Sequence, residues 1–225
     1  MVITRSRVVP TASFERLWKR YPDGTVALAG IDLEVGAGER VLVTGPTGSG
    51  TSTLLRILSA RSVPTGGSAR ILGVATHLAD PAALRRVRRR VALLGGTVHV
   101  PGAASVGEAL GAASTKAVGR APGPAEALDS LGGPDPSRRF DDLDATERAT
   151  VALALAAVRG PALIVADDPW RDLDPGEGRL IGRMACRVAA ESGAAFVLAG
   201  RDAGAFEGVD RAIRLRDGRV VAQSP

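Results

Sequence analysis

The chain has 225 residues, enough for one domain with a full hydrophobic core. Apolar residues make up 45% and aromatic residues 3%, so Ala, Val, Leu and Ile must build the interior. The single cysteine, Cys186, excludes a disulfide within the chain. The net charge of +5, carried almost wholly by arginine, comes with a general Arg/Ala/Gly bias, so it does not by itself indicate nucleic acid; acidic lipid headgroups would suit it equally.

In chain order, residues 1–12 read as a lead-in, and Met1 to Pro10 lacks the apolar segment of a signal peptide. Phe14 to Tyr21 reads as a strand and Pro22-Asp23-Gly24 as a turn. Ile31, Leu33 and Val35 alternate with polar residues, the pattern of a half-buried strand, and Val41-Leu42-Val43 is a second, fully apolar one. A helix follows to about Ala60, then a turn at Pro64 to Gly67 and a short strand from Ala69 to Leu72. Pro81 to Arg90 predicts a charged helix, Val91 to Leu94 a buried strand, and Gly95 to Gly102 a loop. Residues 105–135 predict short helices broken by Gly and Pro. Ala145 to Val158 is an apolar helix and Ala162 to Ala166 a continuous apolar strand of the kind buried on both faces of a parallel sheet. Pro175 to Glu191 predicts a helix, Ala195 to Ala199 a strand, and Asp217-Gly218 a hairpin turn. The longest apolar stretch, Val151 to Ala166, is interrupted by Arg159-Gly160-Pro161 and is too short to span a bilayer. Alternating strands and helices make the class α/β with a parallel core sheet.

Two stretches carry chemistry. Gly45-Pro46-Thr47-Gly48-Ser49-Gly50-Thr51-Ser52-Thr53 sits between an apolar strand and a helix, where glycine-rich loops turn backbone N–H groups onto phosphate. Gly45, Gly50 and Ser52 match G-x-x-x-x-G-K-[ST], but Thr51 holds the lysine position. Ala162 to Ala166 ends in Asp167-Asp168, carboxylates at the C-terminal end of a strand, where ligands of α/β sheets bind. The first suits Mg²⁺ held through water together with Ser52, and the second suits polarising an attacking water.

The run from Asp167 to Asp174 resembles the D-E-P-T-x-x-L-D segment of ATP-binding cassette (ABC) transporter nucleotide-binding subunits, with Asp168 in place of Glu and Trp170 in place of Thr. The resemblance extends to Gly38-Glu39 before the loop strand, to Ser105-Val106-Gly107-Glu108, and to Leu143-Asp144-Ala145-Thr146-Glu147 at the position of the L-S-G-G-Q/E signature. It implies the P-loop fold of the ABC type, with a parallel core sheet, an antiparallel β lobe and a small helical lobe. Residues 1–225 would form one nucleotide-binding domain, with 1–95 and 160–225 as core and β lobe and 96–145 as the helical lobe. It also implies ATP and Mg²⁺ as ligands, Tyr21 as the ring that stacks on adenine, a membrane permease as partner, and a homodimer or a heterodimer with another ABC ATPase. The place implied is cytoplasmic, peripheral on the inner face of the cell membrane. Gly66 to Gly73 resembles the exporting systems.

The departures form a pattern. Thr51 removes a charge-assisted hydrogen bond worth about 1.5–3 kcal/mol. Gly96 stands where the family has the glutamine that senses γ-phosphate, and Arg201 where it has the switch histidine. Asp168 is one methylene short of Glu. Asp144 would present a carboxylate where Ser meets the phosphate bound by a partner subunit, while Ala145 and Thr146 add side chains in place of glycines. Yet Asp144-x-x-Glu147 makes a capping box. The expectation is an ABC transporter ATP-binding component with weak or absent hydrolysis; the alternative is a non-transport pseudo-ATPase, a regulator or scaffold paired with a competent ABC ATPase. A nucleic-acid role is disfavoured, because no basic stretch is interleaved with aromatics.

Plainer readings stand beside these. Tyr21 is equally a packing residue, Arg201 is a substitute cation for Thr51, and Arg85 to Arg90 is a solvated helix face. His77 and His99 read as surface loop residues without metal-ligand spacing, and Cys186 as packing on an apolar helix face.

Overall fold

The alternating strands of the N-terminal part and the continuous apolar strands sort into separate sheets in the computed structural model, which describes residues 9–95, 105–170, 173–200 and 208–224. The alternating strands β1 (Ala12–Arg20) and β2 (Val26–Val35) pair antiparallel, with Phe14 opposite Leu33. The apolar β3 (Arg40–Thr44) leaves this sheet and leads through the glycine loop into α1 (Thr51–Leu58). Then β4 (Gly66–Ile71) and β5 (Val74–Ala75) return to the antiparallel sheet, giving the order β2-β1-β4-β5. Helix α2 (Pro81–Arg89) starts on Asp80, whose carboxylate caps Ala83 N–H, and ends in arginines.

The remaining strands build a second sheet around β3. These are β6 (Val91–Leu94), β7 (Leu163–Asp167), β8 (Ala195–Gly200), β9 (Arg211–Arg216) and β10 (Arg219–Ser224). Their order is β10-β9-β3-β8-β7-β6, parallel except for the edge strand β10. Helices α3 (Val106–Ser114), α4 (Pro124–Ser130), α5 (Ala145–Ala157) and α6 (Pro175–Ser192) complete the described chain, with one 3₁₀ turn at Phe140–Asp142.

The parallel sheet divides the interior into two cores by strand periodicity. Leu163 and Val165 of β7 face the core shared with α1 and the antiparallel sheet, while Ile164 and Ala166 face the core shared with α3 to α6. Phe196 and Leu198 of β8 follow Ile164, and Ala195 and Val197 follow Leu163. This accounts for the unbroken apolar runs: each face has a layer of its own to cover it. The architecture is the expected one, a parallel core sheet with an antiparallel β sheet and added helices.

Some elements differ in detail from the sequence reading. The strand expected at Ala69 begins at Gly66, so the turn expected to include Gly66 and Gly67 ends before them. His77, expected on the surface, is half-buried, with Nδ1 3.2 Å from the Ala69 carbonyl oxygen of β4. Cys186 is buried, as expected, and burial pushes its thiol pKa up. The arginines of α2 lie on an exposed face, with Arg88 Nε donating to the Ala60 carbonyl. None of the described helices is long and apolar enough to cross a membrane.

Candidate functional site

The glycine loop owes its path to contacts that exclude side chains. A Cβ on Gly45 would stand 2.5 Å from Ser49 Oγ and 2.6 Å from the Leu215 carbonyl oxygen. Gly50 has φ +97°, and a Cβ there would strike the Ala27 carbonyl. Ser49 N–H donates to the Pro46 carbonyl at 3.0 Å, closing the loop on itself. From outside, Gly218 N–H donates to the Ser49 carbonyl at 3.0 Å, so the β9–β10 turn braces the loop.

Helix α1 begins at Gly50 with no side-chain cap and no acidic residue in its first turn. Its first N–H groups and its positive dipole end are therefore left for an external anion. The start of α5 is the reverse. Asp144 Oδ1 accepts from Glu147 N–H at 2.8 Å, and Glu147 Oε2 accepts from Asp144 N–H at 3.0 Å. Arg138 Nη1 holds Glu147 at 3.2 Å, and the Thr146 hydroxyl donates to Glu177 of α6 at 2.8 Å. The capping box expected at Asp144 is thus present, and its own carboxylates occupy that helix end.

A cleft of about 1110 Å³ opens along the loop. Gly45, Pro46, Thr47, Gly48, Ser49, Gly50, Thr51, Ser52 and Thr53 line it, as do Tyr21, Asp167 and Asp168. Strand β1 ends just before Tyr21, whose hydroxyl lies 3.1 Å from Thr53 Oγ1. That bond lowers the phenol pKa from its ordinary value, with smaller help from Arg56 and Lys19. Ser52 Oγ donates to Asp167 Oδ1 at 3.1 Å, which joins loop and strand end in the hydroxyl-plus-carboxylate pair that suits a water-clad Mg²⁺. Thr51 makes no charge: its hydroxyl lies 2.8 Å from Ser49 Oγ. Asp168 takes a left-handed conformation, φ +42°, with its N–H donated to the Ala199 carbonyl at 3.2 Å.

None of Leu143, Asp144, Ala145, Thr146 and Glu147 lines this cleft; Leu143 is core and Asp144 is exposed. Gly96 and Arg201 lie outside the described residues. The sequence reading missed Thr25, Val26, Ala27, Arg214 and Arg216, which also line the cleft. The β2 residues and the β9 arginines reach it through strand pairing, with the Asp217-Gly218 turn as the nearest local signal.

Comparison with known proteins agrees with this architecture. A family model described as ABC transporter matches residues 28–171. The chain is 33% identical over 226 residues to the lipoprotein-releasing system ATP-binding protein of Anaeromyxobacter dehalogenans, covering 96% of this chain and 95% of that protein. It is 30% identical over 225 residues to a phosphonates import ATP-binding protein of a Synechococcus species, covering 94% and 84%. Among solved structures, a dimeric ATP-binding cassette in a post-hydrolysis state with ADP and phosphate superimposes with a TM-score of 0.81 at 25% identity, covering 95% of this chain and 97% of that one. The family model spans more than half of the chain and the relatives match nearly end to end, so the chain belongs to the ABC transporter family, among its ATP-binding subunits.

Proposed function

We propose that this chain binds Mg-ATP weakly through the 45–53 loop and serves, peripherally attached to a membrane permease, as the nucleotide-binding component of an exporter with weak or absent hydrolysis. The observation that carries the reading is the loop cleft. It keeps an uncapped α1 N-terminus, Tyr21 and the Ser52–Asp167 pair, while Thr51 stands at the cation position. In it, loop N–H groups hold phosphate, Ser52 and Asp167 hold Mg²⁺ through water, and Tyr21 stacks on the base. Mg²⁺ there would neutralise charge on the phosphates. Asp168 is the only described carboxylate beside Asp167 in the cleft; as the short replacement of a glutamate, it is a poor base.

The exporting direction is supported by Gly66 to Gly73 and by the lipoprotein-releasing relative; the phosphonates relative is named for import. The helical lobe at 96–145, of which α3 and α4 are described, is the segment assigned to the permease. The filled α5 N-terminus favours the second reading, a non-transport regulator or scaffold bound to a competent ABC ATPase. Co-purification from membranes separates the two, since a multi-spanning partner supports the first and an intact ATPase alone supports the second. Nucleotide binding is tested by calorimetric titration with Mg-ATP. Binding by the native chain, tighter in Thr51→Lys, is expected; no heat from either protein overturns the loop as a phosphate site.

A further inference from the structure

Thr51 leaves the loop without a cation, but the cleft has positive charge from another strand. Among the described residues that line it, only Arg214 and Arg216 of β9 are cationic. Both are exposed and bonded through their backbones in β9, and neither guanidinium has a hydrogen-bond or ion-pair partner among the described residues. Their neighbour Arg211, at the start of the same strand, is held by Glu39 at 2.9 Å, and Arg40 of β3 is held by Asp210 at 2.7 Å. Among the described residues, arginine charge is thus neutralised where β3 and β9 begin and left unpaired where they reach the loop.

Strand geometry fixes the two arginines beside the phosphate loop. Strand β9 runs parallel to β3 with Arg214 opposite Thr44, the residue before the loop. Gly45 comes so near the Leu215 carbonyl that a Cβ would stand 2.6 Å from it, so the first loop glycine rests on the backbone between the two arginines. The turn that follows is bonded to the middle of the loop through Gly218 and Ser49 at 3.0 Å. Ile213 and Leu215 are buried, and strand alternation assigns Arg214 and Arg216 together to the other face. Guanidinium groups bind phosphate oxygens in pairs of charge-assisted hydrogen bonds.

We propose that Arg214 and Arg216 supply the positive charge for a polyphosphate bound at the loop, from a neighbouring strand in place of the lysine absent at position 51. This rests on the reading of residues 45–53 as a phosphate site. The test is calorimetric titration of Mg-ATP into the native chain, Arg214→Gln/Arg216→Gln, the same pair combined with Thr51→Lys, and Arg85→Gln/Arg86→Gln as a charge-matched control on the exposed face of α2. The β9 double substitution is expected to weaken binding roughly 10–100-fold, the loss of one or two charge-assisted bonds. Thr51→Lys should restore most of that loss, and the α2 control should bind like the native chain. Native affinity in the β9 double variant overturns this proposal and leaves the loop reading standing. An equal loss in the α2 control, or no recovery with Thr51→Lys, also overturns it, because general charge or a damaged hairpin would then be the cause. Absence of heat from every protein overturns both readings together.

Discussion

At the scale of residues, the glycine loop shows how a side chain can be excluded for two reasons at once. Gly50 combines φ +97° with the Ala27 carbonyl lying where a Cβ would go. Alanine there meets both backbone strain and a collision with an atom that cannot rotate away. Gly50→Ala is therefore expected to lower stability by at least about 1 kcal/mol, read as a shifted urea midpoint at unchanged slope, and to abolish Mg-ATP binding. The loop was legible in the sequence because its constraints are contiguous. Arg214 and Arg216 were not, since their relation to the loop is a strand register across more than 160 residues of chain, from Thr44 to Arg214. A pattern read along the chain carries no such pairing.

At the scale of elements, α5 keeps its start while changing the charge there. The Asp144–Glu147 box satisfies two end N–H groups by the helix's own carboxylates. Serine also caps well, so Asp144→Ser is expected to hold stability within about 0.5 kcal/mol, whereas Asp144→Ala should cost about 0.5–2 kcal/mol in chemical denaturation. A full loss with serine as well would mean that the carboxylate's charge, and not its hydrogen bond, secures the helix. This cap was readable in advance because N-cap and N3 are local partners. The two-residue strand β5 was not, being too short for any periodicity, and the half-buried His77 depends on where β4 lies.

At the scale of the whole molecule, the substitutions at Thr51, Asp168 and Asp144 fall on different elements: α1, the end of β7 and the start of α5. The family resemblance implies that nucleotide lies between the loop of one subunit and the signature of another. Pairing with an intact subunit would then leave one impaired half in each composite site. Phosphate release from the purified chain is expected near background, since loss of a positioned base alone costs about 10²–10⁴-fold. Covalent linkage to an intact ABC ATPase should leave the linked pair nearly inactive; robust turnover abolished by Asp167→Ala in this chain would defeat the pseudoenzyme reading. The α/β order was legible because β3, β6, β7 and β8 of the parallel sheet each carry an apolar run, as a sheet covered by a layer on both faces requires.

The scarcity of aromatic residues gives the molecule a built-in optical asymmetry. Its two tryptophans are Trp18, 39% exposed on the antiparallel sheet, and Trp170, 8% exposed and two residues beyond Asp168. Emission from the first arises in a wet setting and from the second in an apolar one, so the two should separate in wavelength and in quenching by iodide. Replacing Trp18 with phenylalanine leaves a single indole beside the carboxylate end of β7. That variant would carry its own reporter for the core packed behind Asp167 and Asp168, and no dye need be attached.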